Sequence, residues 1–522
     1  VVVAGKSTAT AAGIQILENG GNAADAAAAT ILVLSVTHIG AFCIGGEVPV
    51  LIYDAKRKEV KVLAGQGAAP LDRKAIDWYL ENGIPDKDVR SAAVPAVVDL
   101  CVSLLKSYGT MSFGEIAKPT LTILDAGGPS WYVDTSDGTK IETGRNWQAE
   151  LAATLRRLVE AEQKAGAGRA SNLEAVSERF YRGDIAEELE RWYIAKSGFL
   201  RKADLAAHKT RIEDPVVAGY RGYAVYKCGP WTQGPYLLET LRLLEGFNLR
   251  RMGFLSTDYI HAVIEAMKLA LADRDEYYGD PLFAKVPLEA LLSDQYTHIR
   301  RPLINMKQAS LEIRPGDPYL LQPLKGSGRL SSTAGGTTTL CVADRWGNVV
   351  AATPSGLGSI AGPAGSTGII HGTRLVSLNT WKGHPNCIEP GKRPRVTLTP
   401  TLVLKGGKPV LAISVAGGDL QDQVSLQLIL DYIEFGMPPA KAILAPRFST
   451  GHHTGSFGQD RPQPGSLQVS SKVKKGTRRR LEGRGHRLTV TSHGIGSAAM
   501  LYIDPGSGTS YGAGPSAGCA MF

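Results

Sequence analysis

Cysteine is scarce and scattered. The six residues (Cys43, Cys101, Cys228, Cys341, Cys387 and Cys519) include no close pair, which excludes zinc-like and thioredoxin-like spacings and a disulfide-stapled scaffold. Uninterrupted apolar runs are short, none approaching the ~18 residues of a membrane-spanning helix. Glycine is abundant, at 60 residues, but has no fixed period, which excludes a collagen-like fibre and leaves turns and close backbone approaches as its use. The ten histidines are dispersed. His452 and His453 adjoin in a Gly-rich loop with no ligand-spaced partner, so neither a structural metal nor a cofactor is expected.

What is present is a globular balance, with 43% apolar and 20% charged residues over 522 positions. That length exceeds one ordinary core and suits two domains or one large layered unit. The net charge of +9 owes much to KVKKGTRRRLEGRGHR, residues 472–487. This patch lacks interleaved aromatics and any recognition motif, so it reads as a solvated helix and turn and not as a nucleic-acid surface. The opening VVVAGKSTATAAG has no initiator Met and no charged stretch before an apolar one, which leaves a periplasmic, secreted or cytoplasmic location open.

Residues 8–37 read as an Ala-rich helix broken once at Asn19-Gly20-Gly21-Asn22. Val48–Tyr53 and Glu59–Leu63 read as a hairpin, and helices are predicted at Val94–Tyr108, Phe113–Ala126, Trp147–Gln163 and Asp184–Ser197. Ser256 is placed to cap a long helix that follows it. Residues 305–336 are rich in Gly, Pro and Ser, the signature of a long, mobile or functional linker. Short strands dominate afterwards, at Thr338–Ala343, Val349–Thr353, Thr401–Leu404, Val410–Ser414, Leu488–Thr491 and Ala498–Ile503. Helices fall at Gln423–Gly436 and Pro439–Leu444. Sheets inside and helices outside fit this order best.

The stretch AGGTTTLCVADRWGNVVAATPSG, residues 334–356, carries the candidate chemistry. Thr is a good strand residue, and a bland hairpin accounts for it. A cut between Gly336 and Thr337 gives it a second meaning. Thr337 would then hold a hydroxyl beside a free α-amine, whose pKa of about 7.7 to 8.0 lets it act as the base at neutral pH. Ser355, on the loop leaving the next strand, could supply a partner hydroxyl. Gly417-Gly418, between a strand and a helix, could turn backbone N–H groups toward a developing oxyanion. Taken singly, these are also an ordinary surface serine and an ordinary turn.

Eight ordered segments give these residues a common setting. They are ATAAGIQILENGGNAADAAAAT (9–30), CIGGEVPVLIYD (43–54), AAVPAVVDL (92–100), YRGYAVY with its CGPWTQGP loop (220–235), ALADRDEYYGDP (270–281), TTTLCVADRWGNVVAATPS (337–355), GKRPRVTLTPTLVLKGGKPVLAISVAGG (391–418) and EFGMPPAKAILAPRF (434–448). In them the chain resembles the gamma-glutamyltranspeptidase family of N-terminal-nucleophile hydrolases over nearly its whole length. The resemblance implies an α+β fold, a four-layer αββα sandwich. It also implies a precursor that cleaves itself into a large segment, 1–336, and a small one, 337–522, which stay together as a heterodimer. It places the catalytic threonine on Thr337, the activating second hydroxyl on Ser355 and the oxyanion glycines on Gly417 and Gly418.

The glutamate-binding shell departs from the family. Where members carry an Arg for the substrate α-carboxylate, this chain has Gln66, which offers neither the charge nor the fork. The serine pair that assists falls on Val396 and Thr397. The Asn that binds the α-amine falls on Leu357, and between Arg345 and Gly418 the only acid is Glu389. Trp231 adds a large aromatic to the 229–235 loop, as a cap over an acyl group or as packing between layers. Arg374 and Arg395 are new cations near the expected acyl site. The pattern resembles the divergent amidase and acylase branch, with a small-molecule amide or N-acyl substrate. Two other readings stay open: a gamma-glutamyl hydrolase or transpeptidase with a rearranged glutamate site, and an unprocessed, non-catalytic scaffold or binding protein.

Overall fold

Strands covered on both faces need apolar residues at nearly every position, and the central strands of this chain have them. A computed structural model describes residues 1–127, 132–134, 140–142, 146–166, 168–324, 336–356, 362–458, 461–514 and 519–520. No helix among them is long and apolar enough to cross a membrane. One antiparallel sheet contains β1 (Val2–Ala4), β2 (Val48–Asp54), β3 (Glu59–Gly65), β4 (Arg211–Glu213), β7 (Leu340–Ala343), β8 (Val349–Ala352) and β13 (Cys519–Ala520), in the order β13-β1-β7-β8-β2-β3-β4. The other contains β5 (Val216–Tyr220), β6 (Tyr223–Lys227), β9 (Thr401–Lys405), β10 (Lys408–Ala416), β11 (Ser497–Ile503) and β12 (Ser510–Ala513), in the order β12-β11-β10-β9-β6-β5.

The two-residue period of a strand sorts its side chains between layers. Leu51, Cys341 and Ala351 point into the space between the sheets and meet Leu402, Leu404, Ala412 and Leu501 there. Their neighbours Val50, Ile52, Leu340, Val342 and Val350 face one helical layer, while Val403, Leu411 and Ile413 face the other. Each aliphatic side chain so buried contributes roughly 1.5–3 kcal/mol relative to exposure. The result is an αββα sandwich. Across the sheets, the Thr353 hydroxyl meets the Ser414 hydroxyl at 3.0 Å.

The Ala-rich opening forms α1 (Ser7–Glu18) and α2 (Ala23–Thr37). Asn22 starts α2 with a reciprocal cap, its side chain accepting from the Asp25 N–H while Asp25 accepts from its own. Small side chains let α2 lie wholly inside, with Ala26 to Ala29 fully buried. On the second sheet, Ser256 caps α3 (Thr257–Tyr277) through the Tyr259 N–H. There α3 shares its core with α4 (Leu420–Ile433).

Boundaries moved where sequence periodicity is blind. The helix expected from Val94 begins at Val97, because Pro95 interrupts it and the Val94 N–H bonds back to Ala68 O. The helix expected from Gln423 begins at Leu420. Helices Arg73–Asn82, Arg169–Tyr181 and Pro235–Leu244 join those expected. Of the linker 305–336, a short ladder pairs Gly316–Asp317 with Gln322–Pro323, and residues 325–335 lie outside the described residues. The basic patch holds the helix Lys475–Gly483, docked on the start of α3 by Arg480 to the Thr257 hydroxyl (3.0 Å) and Arg484 to Asp258 (2.5 Å).

Candidate active site

The threonine run continues the line of β7. The Thr338 N–H donates to Pro354 O at 2.9 Å, and Thr339 O accepts from the Gly5 N–H at 3.0 Å. Beyond β8, Ser355 pairs with Glu47 through two backbone bonds of 2.9 Å. The three segments around 337, 355 and 47 are thus locked side by side past the ends of their strands. Gly336 is buried, and a Cβ there would lie 2.4 Å from Gly40 O, so only glycine fits. Thr337 is half-buried.

The Ser355 hydroxyl donates to Gly336 O at 2.6 Å. The Ser355 Oγ in turn accepts from Arg374 Nη2 at 2.5 Å, and Arg374 Nε donates to Glu47 Oε1 at 2.6 Å. A guanidinium only donates, so the single Ser355 proton is committed to Gly336 O. Arg374 is 1% exposed and Glu47 2%, a buried pair whose charges each need the other. Burial pushes the Glu47 carboxyl up, and Arg374 opposes that shift. Among the described residues, Arg374 Nη1 has no hydrogen-bond partner.

His38, which ends α2, meets the Thr338 hydroxyl through Nδ1 at 2.9 Å. Burial, with nearby Lys6, pulls its imidazole down to about 4, so it is uncharged at neutral pH.

Gly417 and Gly418 form the corner from β10 into α4, with φ of +139° and +58°. Among the described residues, neither amide N–H meets an acceptor. Next to them Asp419 accepts from Arg274 Nη1 (2.7 Å) and the Ser456 hydroxyl (2.6 Å). Burial works against the charge of Asp419, but Arg274, His453 and Arg395 outweigh it and hold the carboxyl below the usual carboxylate range. Phe457 joins this corner to the first cluster. Its ring lies 5.5 Å below the Arg374 guanidinium and 3.0 Å from the place of a Cβ on Gly418.

Arg395 is 6% exposed. Its backbone N–H donates to Asn386 Oδ1, and Nη1 has no partner among the described residues. Burial, then Arg274, pushes its guanidinium down to about 10. Thr397 is fully buried against Gln421, whose amide bridges Thr397 O (2.9 Å) and Val415 O (3.0 Å). Gln66 is buried at the end of β3, with Oε1 unmatched among the described residues. Trp231 stands in the core between the sheets, fully buried, its indole N–H on Glu213 (2.7 Å) and Arg393 over its ring. Packing between layers, not an acyl cap, is its place. Leu357 lies outside the described residues.

Sequence reasoning missed Glu47, His38, Arg274, Asp419 and Phe457. The CIGGE segment was a signal for Glu47, while Phe457 gave none. Elsewhere, His261, Glu265 and His486 bring their ligand atoms within 4.8 Å of one another. Glu265 is already neutralised by Lys268 (2.5 Å), with Arg314 at 3.6 Å, and His261 Nδ1 is bonded to His486 Nε2 at 2.8 Å. A cation arriving there would meet two fixed positive charges.

The model of the family described as gamma-glutamyltranspeptidase matches residues 9–517. The chain belongs to the gamma-glutamyltranspeptidase family. The glutathione hydrolase proenzyme of Escherichia coli (strain K12) is 31% identical, over 97% of this chain and 88% of that one. Two solved structures share the architecture. LmbA2991HD gives a TM-score of 0.87 at 34% identity, over 98% of this chain and 96% of the other. The cephalosporin acylase from Bacillus halodurans gives 0.80 at 27%, over 98% and 93%. The chain is therefore an enzyme of the gamma-glutamyltranspeptidase type, an amidohydrolase or acyltransferase on an N-terminal-nucleophile scaffold whose threonine nucleophile arises by self-cleavage.

Proposed function

We propose that the chain cleaves itself between Gly336 and Thr337 and then hydrolyses a small amide or N-acyl compound through an ester on Thr337. The observation that carries this reading is the contact of the Ser355 hydroxyl with the carbonyl oxygen of the bond to be cut. In turnover, the freed α-amine takes the Thr337 hydroxyl proton as Oγ attacks the substrate carbonyl carbon. The α-amine passes that proton to the substrate's nitrogen, the substrate's amine leaves, and water hydrolyses the ester. The Gly417 and Gly418 N–H groups, without acceptors among the described residues, receive the oxyanion. The large and small segments remain associated, since each contributes strands to both sheets.

Gln66 in place of a carboxylate-binding Arg supports an acyl group other than γ-glutamyl. A second reading, a gamma-glutamyl hydrolase or transpeptidase with its carboxylate on a different cation, draws on the buried Arg395 guanidinium, whose Nη1 has no partner among the described residues. One experiment separates them. The cleaved enzyme is offered γ-glutamyl-p-nitroanilide alongside neutral and dicarboxylic amides, with intact mass recorded on the small segment. An ester from a non-glutamyl amide supports the first reading, and turnover confined to the glutamyl anilide overturns it.

A further inference from the structure

Among the described residues, Arg374 is the one buried cation that touches the partner hydroxyl of the expected scissile bond. It reaches Ser355 Oγ with Nη2 and Glu47 with Nε, and its aromatic floor is Phe457. Burying a guanidinium carries a desolvation penalty that only close pairing and hydrogen bonds offset. One carboxylate neutralises it here, and nothing in β-sheet packing calls for either group.

We propose that Arg374 is a positioning residue for self-cleavage, holding the Ser355 O–H on the Gly336 carbonyl oxygen so that this hydroxyl stabilises the oxyanion of the cleavage step. This rests on the proposed cut at Thr337. Thr337 Oγ adds to the Gly336 carbonyl carbon, and the electron pair of the C=O bond moves onto oxygen, where the Ser355 proton meets it. The C–N bond to Thr337 then breaks, and the hydroxyl proton ends on the departing nitrogen. Water hydrolyses the resulting ester, releasing a Gly336 carboxylate and the free Thr337 hydroxyl and amine.

Arg374 acts in two ways. Its N–H fills a lone pair of Ser355 Oγ, so the hydroxyl cannot rotate away from Gly336 O. Its charge polarises the O–H where the dielectric is low and the charge on the carbonyl oxygen grows. Glu47 fixes the fork through Nε, and the paired Glu47 and Ser355 backbones keep the three groups in register. Lysine cannot replace it, because one ammonium on a flexible stem does not hold two acceptors in a fixed plane.

The test follows the fresh full-length chain by denaturing gel and intact mass. Arg374→Ala should cleave about tenfold or more slowly than wild type, as befits support of an oxyanion donor, with partial rescue by millimolar guanidinium. Ser355→Ala should be slow too, and the double variant no slower than Ser355→Ala alone. Arg374→Ala cleaving at the wild-type rate, or a double variant whose two losses multiply, would overturn the proposal. If Arg374→Ala does not fold, the neutral pair Arg374→Gln, Glu47→Gln answers the same question: slow cleavage supports the role and wild-type cleavage refutes it. A folded wild-type chain that stays whole removes the underlying reading and this one with it. Wild-type cleavage with an unaffected Arg374 variant removes this one alone.

Discussion

The Ser355 hydroxyl and the Gly336 carbonyl oxygen lie 2.6 Å apart across a nineteen-residue separation in sequence. Their contact aligns the peptide bond that precedes Thr337. Thr337→Ala should therefore remain one chain of 55.5 kDa after prolonged incubation, while Thr337→Ser should still divide. N-terminal sequencing of the smaller wild-type product should begin at Thr337. A start elsewhere sinks the assignment.

Gly418 carries a left-handed φ, and a Cβ there would press on the Phe457 ring at 3.0 Å. Gly418→Ala should turn the Gly417 and Gly418 N–H groups away from the reacting carbonyl. A fall in kcat on the order of 10²-fold is expected, with KM little changed and the fold retained. Steady-state kinetics on already cleaved enzyme provides the measurement, and an unchanged kcat removes this corner from the mechanism.

Trp231 tests whether the 229–235 loop belongs to the core. Trp231→Ala empties a site between the sheets and leaves the Glu213 and Arg393 charges without their aromatic partner. A loss of about 3–5 kcal/mol is expected in chemical denaturation. Trp231→Phe should lose less and keep its KM. A large change in KM with stability intact would return the residue to the substrate pocket.

Arg395 is buried with Nη1 unmatched among the described residues, and its charge helps hold the Asp419 carboxylate ionised. Removing one partner of a buried charge cluster leaves the other uncompensated. Arg395→Met should therefore melt at a lower temperature than wild type. Its KM should rise for amides that carry a carboxylate and stay level for neutral ones. If both classes respond equally, Arg395 does not read the substrate.

His371 sits in the first helical layer, stacked on Trp192 and within 3.2 Å of the Tyr193 hydroxyl. Burial lowers its imidazole to about 3, against about 6.5 unfolded. The folded state stays neutral where the unfolded chain takes up a proton, so the stability from this group is full above pH 6.5 and drains as pH falls toward 3. Relative to His371→Gln, wild type should lose up to about 1.4 kcal/mol per pH unit across that window. Denaturation midpoints between pH 7 and 4 read it, and parallel pH curves for the two proteins would contradict it.

Much of the scaffold was legible before any coordinates. The break at residues 19–22, the Ser256 cap and the helix Phe113–Ala126 followed from local signals that act within a turn. The order of helices and strands already implied sheets inside. Less legible was what depends on distant contacts. Short strands such as Val2–Ala4 exist because β7 pairs with them, and nothing in three residues announces that. In the site, Ser355 and the two glycines could be nominated from chemistry and resemblance. Glu47 stood inside the matched CIGGE segment without being singled out, and Phe457 could not be nominated, because a single Phe in a loop has no periodicity to betray it. Trp231 was open to two placements, and only its neighbours decide between them.

The strand order has a consequence for the life of the cut enzyme. Walking across the larger sheet, ownership passes from residues 519–520 to 2–4, then to 340–352, then to 48–65 and 211–213. The second sheet adds one more border, between residues 401–405 and 223–227. Cutting one peptide bond therefore frees no half. With the proposed cut at Thr337 the two segments would be braided like clasped fingers, and parting them would mean tearing hydrogen-bonded ladders at four seams, so subunit exchange would require denaturation.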